Sequence, residues 1–459
     1  MNRSKFATGS KSEAGYLDVA ANAHGEEKGL LAYRALQRID REHPRVVEIG
    51  PGGGSAVAYL ASQLATDSRG GSVGLTLIES PGVRSVALAD AMEVYREVGG
   101  PVELVAGFAQ DIGTLLSEPV DVITASALLH EVYTYGGGYG GLHSMIRALP
   151  AVLRPGGLFA YRDVYAVDAE SLHVRSAQTY DGRPWNQFLR MFLPLYLDEG
   201  THPYHGACDE VVVRQDSRIV PVSRVDPDRT VVVSAPVGVF REVQRHFITM
   251  RDFVWRSGVL GFSPFLDGQL AADWIDARTG HKRVHYQLTD SLLSGPQRGM
   301  MLALSEEYGG HLTVDSDIFD MCSDIALSRF LTLAEAGDDQ CRRVWEEWSL
   351  REGRETYAYL TLDALLSAFA VSSTESDRKD RTILMPLHVS DVVCRDRSYY
   401  NRYLRRALAN PLRDAKQLVL FSNISLADTG RLRAAMDVMQ RWCSRSTLAR
   451  MYAAAGTGG

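Results

Sequence analysis

The sequence predicts an α/β fold: a doubly wound, mostly parallel sheet in the N-terminal part, followed by a large mixed α+β C-terminal extension. Three observations carry that expectation. β-rich and helical runs alternate over the first third of the 459 residues, a glycine-rich turn joins the first strand directly to a helix, and the rhythm breaks after residue 165. Such alternation implies βαβ units, whose right-handed crossovers stack helices on both faces of a parallel sheet. In these sheets ligands bind beyond the carboxyl ends of the strands.

The elements follow in order. Residues 25–42 place Leu30, Leu31, Tyr33, Leu36 and Ile39 near helical spacing, and Pro44 ends the run. Arg45 to Gly50 reads as a short strand, the glycine turn follows, and a helix is expected around 55–65. Strands are expected at 73–78, 102–106, 120–125 and 157–163, with helices at 82–97 and 139–153. Beyond residue 165 comes an aromatic, apolar segment at 184–197, then short β-like runs at 210–214, 218–223 and 230–235. Helical patterns follow at 238–256, 296–308, 317–335 and 341–348. Two late strands, 382–388 and 416–422, precede a helix at 427–441, and they either close the N-terminal sheet or belong to the second unit. The tail AAAGTGG is expected to be disordered.

Size and composition set the outer limits. The chain is longer than one hydrophobic core usually spans, so we expect a first domain over residues 1–165, with an N-terminal helical segment at 1–43, and an extension over 166–459. Hydrophobic residues make up 45% and charged residues 23%, as in ordinary globular proteins. A net charge of −7 does not suit a protein that wraps a polyanion, so no nucleic-acid partner is expected. Five scattered cysteines without a CxxC pair indicate reduced thiols in a cytoplasmic protein. Neither a signal peptide nor a membrane-spanning run is expected.

The chemistry-bearing signal is the turn Gly50-Pro51-Gly52-Gly53-Gly54 after Glu48-Ile49. Glycines let the backbone bend tightly and approach a nucleotide-like ligand where Cβ atoms would clash. Glu79 ends the second strand, where a carboxylate can accept both hydroxyl protons of a ribose. Gly107 to Ile112 follows the third strand, and Leu153-Arg154-Pro155-Gly156-Gly157 turns into the fifth. A dinucleotide-binding dehydrogenase is the nearest competitor, but its fingerprint requires a third glycine where this chain has Ser55.

Five segments, VVEIGPGGG, LTLIES, GFAQDI, VDVITASALLHEV and LRPGGLFAYRD, resemble in order and spacing the successive motifs of class I S-adenosylmethionine-dependent methyltransferases of the small-molecule, natural-product type. The resemblance covers residues 45–163 and implies a Rossmann-like sheet. It implies that Glu48, Gly50, Pro51, Gly52 and Gly54 line the methionine part of S-adenosylmethionine and that Glu79 holds the ribose. Phe108, Ala109, Gln110 and Asp111 would border the adenine, with Ser126 completing the set. Phe108 stands where many members carry an acidic residue, so Asp111 or a backbone carbonyl would take over that contact. The product would be S-adenosylhomocysteine.

Methyl transfer needs positioning and, for some acceptors, a base. His130, in Leu129-His130-Glu131-Val132, is the candidate base, with Glu131 beside it. The segment resembles the Leu-His-Asp-Trp stretch of small-molecule O-methyltransferases, with Glu131 and Val132 replacing the last two residues. An imidazole titrates near ~6.5, which suits base work at neutral pH; a histidine that only packs locally is the alternative. The stretch from Tyr133 to Gly141 reads as a mobile or tightly folded loop whose Tyr133 and Tyr135 offer flat faces to a small-molecule acceptor, with a flexible surface connection as the alternative. Tyr16 is a candidate for closing over the cofactor. Trp185 and Trp255, in aromatic segments of the extension, are candidates for an acceptor pocket, with ordinary core and a homodimer interface as alternatives. His202, His205 and Cys208 have metal-ligand types at spacings of three, but packing is the preferred reading, so no metal is expected. Arg402, Arg405 and Arg406 would form a solvated helix face or hold an anion. Other S-adenosylmethionine-using transfers or cyclisations, and a cofactor-binding protein without catalysis, are the alternatives.

Overall fold

The computed structural model describes residues 25–164, 171–199, 202–204, 211–264, 274–275, 282–289, 295–308, 311–374, 381–391, 399–412 and 416–455. They form two units. The first comprises residues 1–167, 359–392 and 415–459, and the second 168–358 and 393–414.

In the first unit, short β-branched runs become β1 (Arg45–Ile49), β2 (Gly74–Glu79), β3 (Val102–Ala106), β4 (Val120–Ser126) and β5 (Leu153–Val164); β1, β2 and β4 are largely buried, whereas β3, at the edge of the sheet, is largely exposed. β6 (Thr382–Asp391) and β7 (Lys416–Ser425) complete a seven-stranded sheet of order β6-β7-β5-β4-β1-β2-β3. The pairs β1/β2, β1/β4, β2/β3 and β4/β5 are parallel, whereas β7 runs antiparallel to both β5 and β6. Strand alternation sends successive side chains to opposite faces. Val46, Leu75, Leu77, Val122, Leu158 and Ala160 face one core, with residues of α1 (Gly25–Leu36), α2 (Ser55–Leu64) and α3 (Val86–Val98). Val47, Ile49, Ile123, Phe159 and Tyr161 face the other.

The short α4 (Ile112–Leu115) and α5 (Leu129–Tyr135) precede α6 (Tyr139–Val152). α6, α7 (Leu362–Thr374), α8 (Thr429–Met439) and α9 (Arg445–Ala455) cover that second face through Leu142, Leu149, Phe369, Met436 and Met451. The region from Tyr133 to Gly141, expected as a mobile or tightly folded loop, is mostly helix, broken at Gly136–Gly138.

The late strands settle the question that the sequence left open. β7 pairs with β5 from Lys416↔Val164 to Ser422↔Leu158, so the chain returns to the sheet it began. Of the extension expected over 166–459, residues 359–392 and 415–459 fall in the first unit, the alternative in which its late strands close the sheet. The physical reason is the bare edge of β5, whose backbone groups need partners. The tail residues 453–455 lie in α9, and 456–459 are outside the described residues.

The second unit holds two antiparallel sheets and long helices. One sheet orders Arg175–Tyr180, Val231–Pro236, Val212–Gln215 and Arg218–Ile219; the other is built on Phe262–Pro264, Lys282–Leu288, His311–Asp315 and Glu306–Tyr308. Helices Arg183–Glu199, Val237–Arg256, Ser316–Ala336 and Asp339–Arg351 pack aromatic faces. Trp185 stacks on Phe247 with ring centroids 3.7 Å apart, and Phe188 and Phe192 pack against Trp348.

Candidate functional site

The strand order reverses beside β1, and the loops after β1, β2, β3 and β4 gather at that switch point. The first of them bends through left-handed backbone: Gly50, Gly52 and Gly54 have φ of 69°, 55° and 77°. At Gly54 a Cβ would lie 2.9 Å from the Leu88 Cα and 3.0 Å from the Ala91 Cβ, so only glycine lets α3 pack against the start of α2. The Gly50 N–H donates to the Ile78 carbonyl at 2.9 Å, tying the turn to the end of β2.

Glu79 is fixed where β2 ends. Its Oε2 accepts the Gly52 N–H at 3.2 Å and its Oε1 accepts the Ser80 N–H at 2.8 Å. Each carboxylate oxygen thus has a backbone donor holding it at the mouth of a cleft. Gly50, Pro51, Gly52, Glu79, Phe108, Ala109, Gln110 and Ser126 line that one cleft, together with Glu131 and Tyr135. The sequence singled out all ten. It missed Lys28, Ser80, Val83, Ala127, Leu128 and Gly136, which also line it. Ala127 has φ of 55°, a left-handed conformation for which alanine gives no sequence signal. Lys28 lies on a helix whose periodicity marks only its apolar face.

Three predicted cofactor residues stand off the wall. Gly54 is used in helix packing, and Asp111 sits in the turn 109–111 ahead of α4. Glu48 is buried in β1, because strand alternation turns it away from the side its neighbours present. Burial pushes its carboxyl up to about 7; attraction by Lys28 opposes the shift and the charge of Glu79 adds to it.

His130 and Glu131 divide. Glu131 is on the cleft wall; His130 is buried and is not. The His130 Nδ1 lies 2.7 Å from Asp163 Oδ1, and its backbone N–H donates to Asp163 Oδ2 at 3.2 Å. Asp163, fully buried near the end of β5, therefore grips both the ring and the backbone at the start of α5. A His130 ring nitrogen and a Glu131 carboxylate oxygen lie within 4.8 Å. Asp163, 33 residues away, ends the segment LRPGGLFAYRD, but nothing in its spacing marks it as the partner of His130.

Tyr133 is buried, stacked on Tyr359 at 5.0 Å and edge-on to Tyr139 at 4.9 Å, so it packs rather than meeting an acceptor. Trp185 and Trp255 are core residues of the second unit, the latter beneath the Arg251 guanidinium at 4.4 Å. Neither offers a face to a ligand, because apolar rings at helical spacing are consumed by helix packing. His202 is buried between the rings of Tyr196 and Tyr204, and its Nδ1 accepts the Tyr204 N–H at 3.0 Å. That nitrogen is thereby used in local packing. Tyr16, His205 and Cys208 lie outside the described residues, as does the Arg402 side chain. Arg406 pairs with Asp317 at 3.0 Å and Asp320 at 3.1 Å, which accounts for its charge within the unit.

No family model matches the sequence, and no curated protein matches it. Solved structures do. An O-methyltransferase family protein from Burkholderia thailandensis aligns at 13% identity over 51% of this chain and 62% of its own, with a TM-score of 0.31. An amino pentose methyltransferase from Micromonospora echinaspora, involved in calicheamicin biosynthesis, aligns at 15% identity over 34% of this chain and 58% of its own, with a TM-score of 0.23. The cyclase SpnF aligns at 21% identity over 34% of this chain and 49% of its own, also at 0.23. The chain thus spans less than two-thirds of the length of these neighbours. Five parallel strands, a reversal beside β1 and an antiparallel β7 between β5 and β6 make the first unit a Rossmann-like sheet. Among the described residues, no helix is long and apolar enough to cross a membrane.

Proposed function

We propose that the first unit binds S-adenosylmethionine in the cleft and transfers its methyl group to a small-molecule acceptor of specialised metabolism, releasing S-adenosylhomocysteine. The observation that carries this reading is the Glu79 carboxylate, pinned by the Gly52 and Ser80 N–H groups at the mouth of a glycine-built turn. An ionised carboxylate so held can accept both hydroxyls of a ribose, and the backbone of Gly50–Gly53 can follow the ligand without Cβ interference. Phe108, Ala109 and Gln110 offer an apolar face and an amide to the adenine. When bound, the cofactor supplies an electrophilic methyl carbon on a sulfonium.

The protein's remaining task is to hold the acceptor in line and take its proton. Because Glu131 is on the wall and His130 is not, Glu131 is assigned as the group that meets the acceptor. His130, gripped by Asp163, is assigned to position it. The withdrawal of the imidazole also favours a second reading, a transfer or cyclisation on the same cofactor that needs no strong base. Product analysis separates the two. The purified chain is incubated with S-adenosylmethionine and a panel of small-molecule acceptors. Accumulation of S-adenosylhomocysteine supports methyl transfer, whereas methylthioadenosine signals attack at the other carbon and overturns it.

A further inference from the structure

The seven-stranded sheet of the first unit ends in β6 on one side and β3 on the other, and the two edges are built differently. β6 carries Pro386, which has no N–H to give, and its register with β7 shifts between Pro386 and His388. A proline and a bulge are devices that keep an edge strand from pairing with another chain. β3, Val102-Glu103-Leu104-Val105-Ala106, has neither, and its pairing with β2 runs without a break from Leu75↔Val102 to Glu79↔Ala106. Its one charge is turned back over the sheet: Glu103 Oε1 accepts the Thr76 hydroxyl of β2 at 2.7 Å.

The bonds to β2 fix what β3 offers on its free side. The Leu75 N–H donates to the Pro101 carbonyl at 2.9 Å, and the Gly107 N–H donates to the Glu79 carbonyl at 2.9 Å. Along a strand the backbone groups of alternate residues point to opposite sides. Positions 101, 103, 105 and 107 therefore serve β2, and the N–H and C=O groups of Val102, Leu104 and Ala106 point away from the sheet. The side chains agree. Leu104 lies beside the fully buried Leu77 and carries its apolar row out to the edge, where Leu104 is 50% exposed. An apolar side chain in the middle of an open, regular edge favours pairing with another strand.

The register decides which strand fits. Let β3 meet the β3 of a second copy antiparallel, about a two-fold axis through Leu104. Leu104 then faces its own counterpart and Val102 faces Ala106, and these are the residues whose outward N–H and C=O groups can be exchanged in pairs. Glu103 stands opposite Val105, so no like charges meet. The strand is complementary to itself in hydrogen bonds and in charge. We propose that this protein associates with a second copy of itself through β3, joining the two seven-stranded sheets edge to edge. The inference does not depend on what the cleft binds.

Sedimentation velocity of the full chain over a concentration series is the test. Wild type is expected to form a dimer of micromolar or tighter affinity. Leu104→Lys and Leu104→Glu each set two like charges against one another at the axis, and each alone is expected to raise the dissociation constant about tenfold or more. Mixed in equal amounts, the two variants are expected to recover the dimer, because a two-fold axis at this residue brings the opposite charges together. Leu104 is half-exposed and off the cleft wall, so both variants are expected to fold, which thermal midpoints check. Amide hydrogen exchange gives a second reading on wild type alone: protection of the Val102, Leu104 and Ala106 N–H groups is expected to rise with protein concentration. Wild type that stays monomeric across the series overturns the inference. So does a dimer that both variants leave intact, a mixture of folded variants that stays monomeric, or exchange at those amides that ignores concentration.

Discussion

Asp163 holds His130 twice, through Oδ1 to the imidazole Nδ1 at 2.7 Å and through Oδ2 to the backbone N–H at 3.2 Å. The contact joins the end of β5 to the first turn of α5, so it fixes where Glu131, the next residue, enters the cleft. Both partners are buried. Removing one leaves the other's polar atoms without water, and Asp163→Ala is expected to cost about 3 kcal/mol. Urea unfolding measures that loss. Because neither residue lines the cleft, S-adenosylhomocysteine affinity is expected to stay unchanged in the folded fraction. Lost binding at unchanged stability would instead place the pair in the binding machinery.

Glu79 is expected to matter for the adenosine half of the ligand. Glu79→Ala removes a charged acceptor for two hydroxyls, and affinity is expected to fall about a hundredfold for both S-adenosylhomocysteine and methylthioadenosine. Equal loss for the two is the signature of a ribose contact, and equilibrium dialysis reads it. A loss confined to the amino-acid-bearing ligand would move Glu79 to the other end of the cleft.

Gly54 is required twice over, by its φ of 77° and by the 2.9 Å approach of the Leu88 Cα. Gly54→Ala is expected to destabilise the first unit by about 1–3 kcal/mol, because backbone must shift and cannot rotate away as a flexible side chain would. Thermal unfolding checks this.

Glu48 gives stability a pH dependence of definite sign. Its carboxyl rises from 4.5 to about 7 on folding, so the folded state holds the proton more tightly. Its contribution is complete below about 4.5 and is lost as pH rises through about 7. A shift of this size corresponds to roughly 3 kcal/mol. The difference in unfolding free energy between wild type and Glu48→Gln is therefore expected to change across that window in favour of the variant as pH rises. A difference that stays flat would contradict the burial account.

Much of the first unit was legible because parallel strands buried on both faces are written as short apolar β-branched runs. The expected strand at 120–125 falls within the buried β4, while 102–106 matches β3, an edge strand that is largely exposed. The glycine turn and Glu79 were legible because their chemistry depends on residue type at a fixed place on a strand. His130 and Glu131 were found as a pair, yet which of them faces the cleft was set by Asp163, a tertiary partner invisible to spacing. Lys28 was missed because its place depends on how closely Gly29 brings α1 to α2. α7 and α9 were not anticipated, and of the two readings open for Trp185 and Trp255, an acceptor pocket or ordinary core, the structure shows core. Short strands such as His311–Asp315 escaped because a few residues carry too little periodicity to stand out.

The central claim, that the cleft between the β1 turn and Glu79 takes an adenosyl amino acid, is tested most directly by calorimetric titration of the purified chain with S-adenosylhomocysteine, with NAD in parallel. The account predicts saturable one-to-one binding of S-adenosylhomocysteine that Glu79→Ala weakens about a hundredfold, and no heat from NAD. Uptake of NAD with indifference to S-adenosylhomocysteine would contradict it.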